Sequence, residues 1–423
     1  MKRPLKVMIV GAGTGGLCLA QGLKSDGIAV EVFERDRSPS DHQQGFRLSI
    51  NATGSAALRS CLPPALFDKL AASAADRSRG LTFLDHRLNR LLAIDFPHRD
   101  RRDADAERPI SRAVLRRTLL EGLDDIVRFG SKFTAFEDAL DGSVVAHFAD
   151  GSAARGDVLI GADGAGSRLR SQLLPHAQRV ETGITVIGGK VPLHGANRAS
   201  IPPPVLRGPT PILGPRGCFL FTSAVQYRDG RGKPALTQDN LPADEREEYV
   251  MWGFSAHRAT FASPDLESPG GEELKIAALA LMPDWHPSLR RLVQLADAST
   301  VSTFAVKTSV PVPPWQTRNV TLLGDALHNM TPFRGIGANT ALRDAAALRG
   351  ALVAVDRGER ELIPALAGYE RDMIDYGFSA VRASLADMER FHEQRVLSRA
   401  ITKAAFRAAD WIPPLKTALM GRR

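Results

Sequence analysis

Residues 7–34 constrain the fold more than any other stretch of the chain. The apolar run Val7-Met8-Ile9-Val10 meets Gly11-Ala12-Gly13-Thr14-Gly15-Gly16, continues as Leu17-Cys18-Leu19-Ala20-Gln21-Gly22-Leu23, and reaches a second apolar run, Val30-Glu31-Val32-Phe33, closed by Glu34. The order is strand, glycine turn, helix, strand, acid. A G-x-G-x-x-G between strand and helix, with an acid about 20 residues on, is the arrangement that binds a dinucleotide. Gly11 makes the tight turn, Gly13 lets the backbone approach a pyrophosphate, and Gly16 lets the helix close on the sheet. The helix N-terminus would receive the phosphate charge. The motif alone leaves NAD and FAD both open.

With 423 residues, 43% of them hydrophobic, the chain has material for two domains. Its net charge of +8 raises nucleic acid as a partner, but the arginines are scattered among acids, so none is expected. The densest charged run, residues 99–108 (RDRRDADAER), alternates in sign and reads as a solvated loop. Cys18, Cys61 and Cys218 are odd in number and far apart in sequence, which implies a reducing cytoplasm, no disulfide framework and no metal site. Lys2, Arg3 and Lys6 precede an apolar stretch that glycines interrupt, so no signal peptide is expected. No window reaches the roughly 18 apolar residues of a membrane span, and the expected protein is soluble, without stable membrane insertion.

After a polar loop, Gly45 to Ile50 alternates as a strand and carries Arg47, either solvated or reaching a ligand. Residues 51–70 read as a helix interrupted at Pro63-Pro64, with Ala56, Leu58, Leu62, Leu66 and Leu70 inward. Residues 81–84 and 91–96 form a strand pair of a second domain. Ser111 is placed to cap a helix over 113–120, and Arg112 opposes that helix dipole, as either a surface arginine or a side chain held for a phosphate. The run Val158 to Ala162 reads as a buried parallel strand that delivers Asp163-Gly164 at its carboxyl end, with Ser167 and Arg170 opening the next helix.

Residues 175–300 read as antiparallel strands with long loops, where Phe219, Phe221, Tyr249, Trp252 and Phe254 either pack the core or line a pocket. Val320 to Leu323 is again a buried strand, ending in Gly324-Asp325-Ala326. Beyond it Pro332, Gly335 and Gly337 precede a helix through Leu352, a turn suited to an anion or a ring oxygen. Residues 366–406 read as helix, ending at Trp411-Ile412-Pro413-Pro414.

The glycine turn with Glu34, Asp163-Gly164, and Gly324-Asp325 each end a strand in glycine and acid. Together, and in this order, they resemble the FAD-dependent aromatic hydroxylases, the single-component group A flavoprotein monooxygenases. The resemblance implies an α/β fold with a Rossmann-like FAD-binding domain interleaved with a smaller β-rich substrate domain, plus C-terminal helices. The implied division is 1–78, 107–174 and 301–383 for FAD binding, 79–106 and 175–300 for substrate, and 384–423 as a helical tail.

By the same resemblance Gly11, Gly13, Thr14, Gly15 and Gly16 would hold the pyrophosphate, Glu34 the ribose, and Arg35 the adenine. Arg112, in Ser-Arg-x-x-Leu, would reach the phosphates or ribityl chain, with Arg47 a flavin or substrate contact. Asp163 and Gly164 match the second family motif and Gly324 and Asp325 the third. Pro332, Gly335, Ile336, Gly337, Ala338 and Asn339 would bring backbone to the isoalloxazine ring; Arg334 and Ile336 depart from the commonest family pattern there. Arg216, Phe219, Phe221, Trp252 and Phe254 are the substrate-pocket candidates, and His328 a structural hydrogen bond to the flavin loop.

The activity implied is hydroxylation or epoxidation of an aromatic or polycyclic small molecule by a flavin C4a-hydroperoxide. NADPH or NADH would be the transient electron donor and O2 the co-substrate, in a cytoplasmic monomer or homodimer. A flavin-dependent halogenase would need a Trp-x-Trp-x-Ile-Pro motif mid-chain, where this sequence has only Trp411-Ile412-Pro413 near its end. A flavin-binding redox sensor would bind FAD without substrate-stimulated NAD(P)H oxidation.

Overall fold

A computed structural model describes residues 4–39, 41, 46–96, 107–227, 247–261 and 269–412. In chain order the elements begin β1 (Lys6–Val10), α1 (Thr14–Ser25), β2 (Ala29–Phe33), β3 (Arg47–Ile50), α2 (Ala52–Cys61) and α3 (Pro64–Ala72). Next come β4 (Gly80–Asp85), β5 (Arg90–Asp95), β6 (Arg108–Ser111), α4 (Arg112–Leu120), β7 (Val127–Arg128), β8 (Phe133–Asp138), β9 (Val144–Phe148), β10 (Ala153–Gly156), β11 (Val158–Gly161) and α5 (Arg168–Leu173). The middle holds β12 (Arg179–Pro192), α6 (Gly195–Ser200), α7 (Pro203–Arg207), β13 (Thr210–Leu213), β14 (Phe219–Val225), β15 (Tyr249–His257), α8 (Gly271–Ala280), α9 (Pro287–Gln294) and β16 (Ser302–Ser309). The last are β17 (Val320–Leu322), α10 (Asp325–His328), α11 (Gly337–Asp356), α12 (Leu362–Phe391) and α13 (Val396–Trp411). These fall into two compact units: Met1–Ala74, Asp100–Val180 and Lys307–Leu385 in the first; Ala75–Arg99, Glu181–Val306 and Ala386–Arg423 in the second.

The first unit is built on a five-stranded parallel sheet in the order β17-β11-β1-β2-β7. Val7, Met8, Ile9, Val158, Leu159 and Ile160 are fully buried, so these strands are covered on both faces, as their unbroken apolar runs require. Val10 pairs with Gly161, and Gly161 with Leu322. That register brings the three strand ends, and the turns after them, side by side along one carboxyl edge. α1 packs on α11 through Gly15, where a Cβ would stand 2.6 Å from Leu323 Cδ1 and 3.2 Å from Ala341 O. Farther along, the Arg349 guanidinium donates to both Asp26 oxygens, at 2.6 and 2.7 Å, and ties α11 to the end of α1. A β3–β6 ribbon and a β10-β9-β8 sheet complete the unit.

The second unit is a seven-stranded sheet, β16-β12-β15-β14-β13-β4-β5, with β13 and β4 parallel. Its two faces separate by the period of two along a strand. Leu220, Trp252, Phe254 and Ile187 face Leu274 and Ala278 of α8 and Leu289 and Leu292 of α9 and form the core. Phe219, Phe221, Gly253 and Ser255 share the other face, since Phe219 pairs with Ser255 and Phe221 with Gly253. On this face Phe391 stacks on Phe219, with centroids 4.8 Å apart, and Phe406 of α13 lies 4.7 Å from Phe83.

Several local expectations change. The helix over 51–70 divides at Pro63 as expected, but Ala56 is exposed, Leu66 only half-buried, and Ala57 and Phe67 take inward positions. Ser111 stands at the N-cap of α4 without a side-chain capping bond, being paired through β6 to Arg47. The span 175–300 contains the helices α6 to α9 besides its strands. The helix over 366–406 is two helices: the His392 ring bonds back to Met388 O at 2.8 Å, and α13 restarts at Val396. Cys18 and Cys61, distant in sequence, meet as buried neighbouring thiols, and burial with that contact pushes the Cys18 thiol up. The charged run at 99–106, residue 45 and the residues from 413 on lie outside the described residues. Among the described residues no helix is long and apolar enough to cross a membrane and no group of three metal-ligating side chains occurs.

Candidate functional site

The glycine turn is held by geometry that other residues would strain. Gly11 has φ +107°, and a Cβ there would stand 2.4 Å from Ala162 O, so β1 and β11 can close only around glycine. Gly16 is equally enclosed, with a Cβ position 2.2 Å from Gly11 O. Gly13 differs: among the described residues only Ala162 O comes near, at 4.0 Å. Thr14, Gly15 and Gly16 are the first residues of α1, whose opening N–H groups have no intrahelical acceptor. Glu34 is buried, and its carboxylate accepts from Ala12 N at 2.6 Å and Asp36 N at 2.9 Å. The acid therefore braces the glycine turn from the end of β2, and Arg35 is exposed just beyond it.

At the end of β11, Asp163 Oδ2 accepts from Arg168 N at 2.9 Å and caps α5. Its other oxygen, Oδ1, is buried with no hydrogen-bond partner among the described residues. Burial raises the Asp163 pKa, against the Ser167 hydroxyl and the α5 amides. Gly164 has φ +76° and, among the described residues, nothing within 4 Å of its Cβ position. Arg170, buried, donates to Ala165 O at 3.2 Å and to Ala326 O at 2.8 Å, so it joins this turn to the one after β17. Arg179 adds bonds to Ala165 O and Asn329 Oδ1.

At the end of β17, Gly324 has φ +62° and donates its N–H to Asp344 Oδ2 at 2.7 Å. Asp325 is exposed at the start of α10, and a Cβ on Gly337 would lie 4.0 Å from its Oδ1. His328 is buried against Asp344, Nε2 to Oδ2 2.7 Å. Burial disfavours charge on this ring, but Asp344 and Asp325 outweigh it and raise the pKa. Pro332 opens a short turn through Arg334, Gly335 follows at φ +63° with no described atom within 4 Å of its Cβ position, and Ile336 is the N-cap of α11. Gly337 and Ala338 are the first residues of that helix, half-buried. The Asn339 side chain links α11 to β3 and α2: Oδ1 accepts from Asn51 N at 2.9 Å and Nδ2 donates to Ser49 O at 2.8 Å.

Arg112 stands at the first turn of α4, solvent-accessible yet enclosed by enough protein that desolvation lowers its pKa, with Asp325 pulling the other way. Asp325 opposes the desolvation of Arg179 in the same manner. Two arginines thus converge electrostatically on the exposed carboxylate at the β17 end. Arg47 is half-buried on β3, paired with Ser111 immediately before Arg112. In the second unit Arg216 is exposed in the left-handed region, φ +54°, at the β13–β14 turn. Trp252 and Phe254 are core residues, Phe219 is buried under Phe391, and Phe221 is half-buried.

These residues fit FAD. The open Cβ positions at Gly13, Gly164 and Gly335 leave backbone accessible, α1 and α11 both begin beside the carboxyl edge of one sheet, and Asp163 offers an orphaned buried oxygen. Sequence reasoning missed Arg179, Asp344 and Tyr376. Asp344 carried a signal, a charged residue at an inward position of an apolar helix face beside Leu348 and Leu352.

A family model described as an FAD binding domain matches residues 270–381, and one described as an NAD(P)-binding Rossmann-like domain matches residues 9–58. A Photorhabdus luminescens protein assigned as an FAD-containing monooxygenase is 32% identical, with a TM-score of 0.80 over 92% of this chain and 98% of that one. Klebsiella pneumoniae HpxO, in a structure with FAD and uric acid, is 24% identical with a TM-score of 0.77, over 96% and 93% of the two chains. A dual O-methyltransferase/FAD-dependent monooxygenase of Phaeosphaeria nodorum is 34% identical over 412 residues, covering 88% of this chain and 43% of that protein. The chain spans less than half the length of such curated relatives.

Proposed function

The chain belongs to the FAD-dependent monooxygenases, and on that premise we propose that it inserts one atom of O2 into an aromatic small molecule with electrons from NADPH or NADH. The carrying observation is the register of β17, β11 and β1, which sets three glycine-containing turns along one sheet edge. Bound FAD would supply the chemistry, accepting hydride from the nicotinamide and activating O2, so that one oxygen enters the substrate and the other leaves as water.

The protein's own part is binding and placement. In this reading Glu34 orders the ribose end, the amides of Gly13 to Gly16 meet the pyrophosphate, and Arg112 lies along the phosphates or ribityl chain. Gly324 and Asp325 hold the ribityl side, and the amides opening α11 face the ring, where they would stabilise negative charge on its oxygen and nitrogen atoms. For the substrate, the second face of the β12–β15–β14 sheet supports a flat aromatic ligand. Phe221, Met251 and Gly253 are half-buried there, and among the described residues the only atom near the Gly253 Cβ position is Val186 Cγ1, at 3.6 Å. Trp252 and Phe254 belong to the opposite face.

The test is to reconstitute the purified protein with FAD and screen phenolic and polycyclic compounds for stimulated NAD(P)H oxidation under 18O2. Product carrying a single 18O atom is the expected result. A folded protein that binds no FAD, or turnover that labels no product with any compound, overturns the reading.

A further inference from the structure

We propose that Asp344 is a positioning residue: a buried carboxylate that, with the hydroxyls of α12, fixes the Leu322–Thr331 segment in the conformation that receives the cofactor. The inference rests on the FAD reading above. Asp344 is wholly buried and accepts three hydrogen bonds from three elements. Oδ2 takes the Gly324 N–H at 2.7 Å and His328 Nε2 at 2.7 Å, and Oδ1 takes the Tyr376 hydroxyl at 2.6 Å. The Gly324 peptide is the pivot of the turn, in a positive-φ conformation, and Asp325 follows it directly.

Two further hydroxyls of α12 hold the ends of the same segment. Tyr369 donates to Leu322 O at 2.9 Å, and Ser384 donates to Thr331 O at 2.6 Å while its own carbonyl accepts from the Thr331 hydroxyl at 2.8 Å. Positions 369, 376 and 384 are about two helical turns apart, so one stripe of α12 grips the segment at start, middle and end. The ring of His328 fits because residue 377 is glycine: a Cβ there would lie 2.7 Å from His328 Cδ2. An isolated buried carboxylate is costly, and this one is fully paired. None of these side chains needs to touch the ligand; they decide where Asp325 and the turn amides stand.

The experiment titrates FAD into apoprotein of Asp344→Asn, Tyr376→Phe, His328→Gln and His328→Ala, reading flavin fluorescence and, separately, apoprotein melting. Tyr376→Phe should weaken FAD about tenfold, the loss of one hydrogen bond to a charged group, while shifting the apo melting temperature little. Asp344→Asn should weaken it more. His328→Gln, which keeps an N–H donor toward Asp344, should bind FAD more tightly than His328→Ala. Wild-type affinity in folded Tyr376→Phe overturns the proposal, as does equal affinity of the two His328 variants; should Asp344→Asn not fold, those two comparisons still decide it. Failure of the FAD reading itself would appear in the wild-type apoprotein, which would then bind none.

Discussion

Gly11 and Gly13 stand two residues apart and answer to different constraints. Gly11→Ala forces a side chain into a left-handed conformation and onto Ala162 O, and should cost about 2–4 kcal/mol in denaturant unfolding. Gly13→Ala meets nothing closer than 4.0 Å and should leave stability within about 0.5 kcal/mol while weakening FAD at least about tenfold by fluorescence titration. The two buried histidines predict opposite pH slopes. His392 is held neutral by burial, its pKa pulled from 6.5 down to about 4. The unfolded chain therefore takes the proton first, and stability present above pH 6.5 is lost as pH falls toward 4, by about 3 kcal/mol. Melting of wild type against His392→Leu at pH 7 and pH 5 checks this: the variant should lack that part of the acid slope. His328 is shifted up, so its contribution is complete below its ordinary value and is lost as pH rises through the raised one. The gap in melting temperature between wild type and His328→Gln should accordingly narrow from pH 6 to pH 9. The places of Gly11, Gly13 and Glu34 at a strand end, in a turn and after the next strand could be read from sequence because these pieces are close together along the chain. Asp344 could not be assigned its partners, because Gly324, His328 and Tyr376 reach it only through tertiary packing.

At the level of elements, the parallel strands were legible because burial on both faces leaves an unbroken apolar run, as in Val158 to Gly161. The β14–β15 pair shows where composition misleads. Five aromatics within and beside one sheet look alike in sequence, yet register divides them, so Trp252 and Phe254 pack against α8 and α9 while Phe221 lies on the other face. Trp252→Ala should cost about 3–5 kcal/mol by denaturant unfolding. Phe221→Ala should cost less than about 1 kcal/mol and act instead on the substrate KM in the oxidation assay. Reversal of those two outcomes would move the substrate surface to the opposite face. The break between α12 and α13 was not legible either. At the break the His392 ring bonds the Met388 carbonyl and Ser255 Oγ, each at 2.8 Å, contacts that leave no trace in helical periodicity.

At the scale of the molecule, a ligand that binds only the folded first unit must raise its unfolding temperature. FAD at a hundredfold excess over Kd adds about 2.7 kcal/mol, which for a unit of this size shifts melting by about 5–10 °C in calorimetry. A separate transition from the second unit, if resolved, should not move with FAD. The order of the parallel sheet carries a consequence for how the protein is made. Its strand neighbours come from distant parts of the chain: β1 lies against β11, β11 against β17, and α1 packs on α11. A ribosome that has released the fingerprint sequence must go on through β11, and then through β17 and into α11, before the partners of those residues emerge. The nascent glycine turn therefore gains its lining in two stages: Ala162, which closes on Gly11 and Gly16, emerges first, and Leu323 and Ala341, which close on Gly15, much later. No single cut in the coding sequence yields a self-sufficient half.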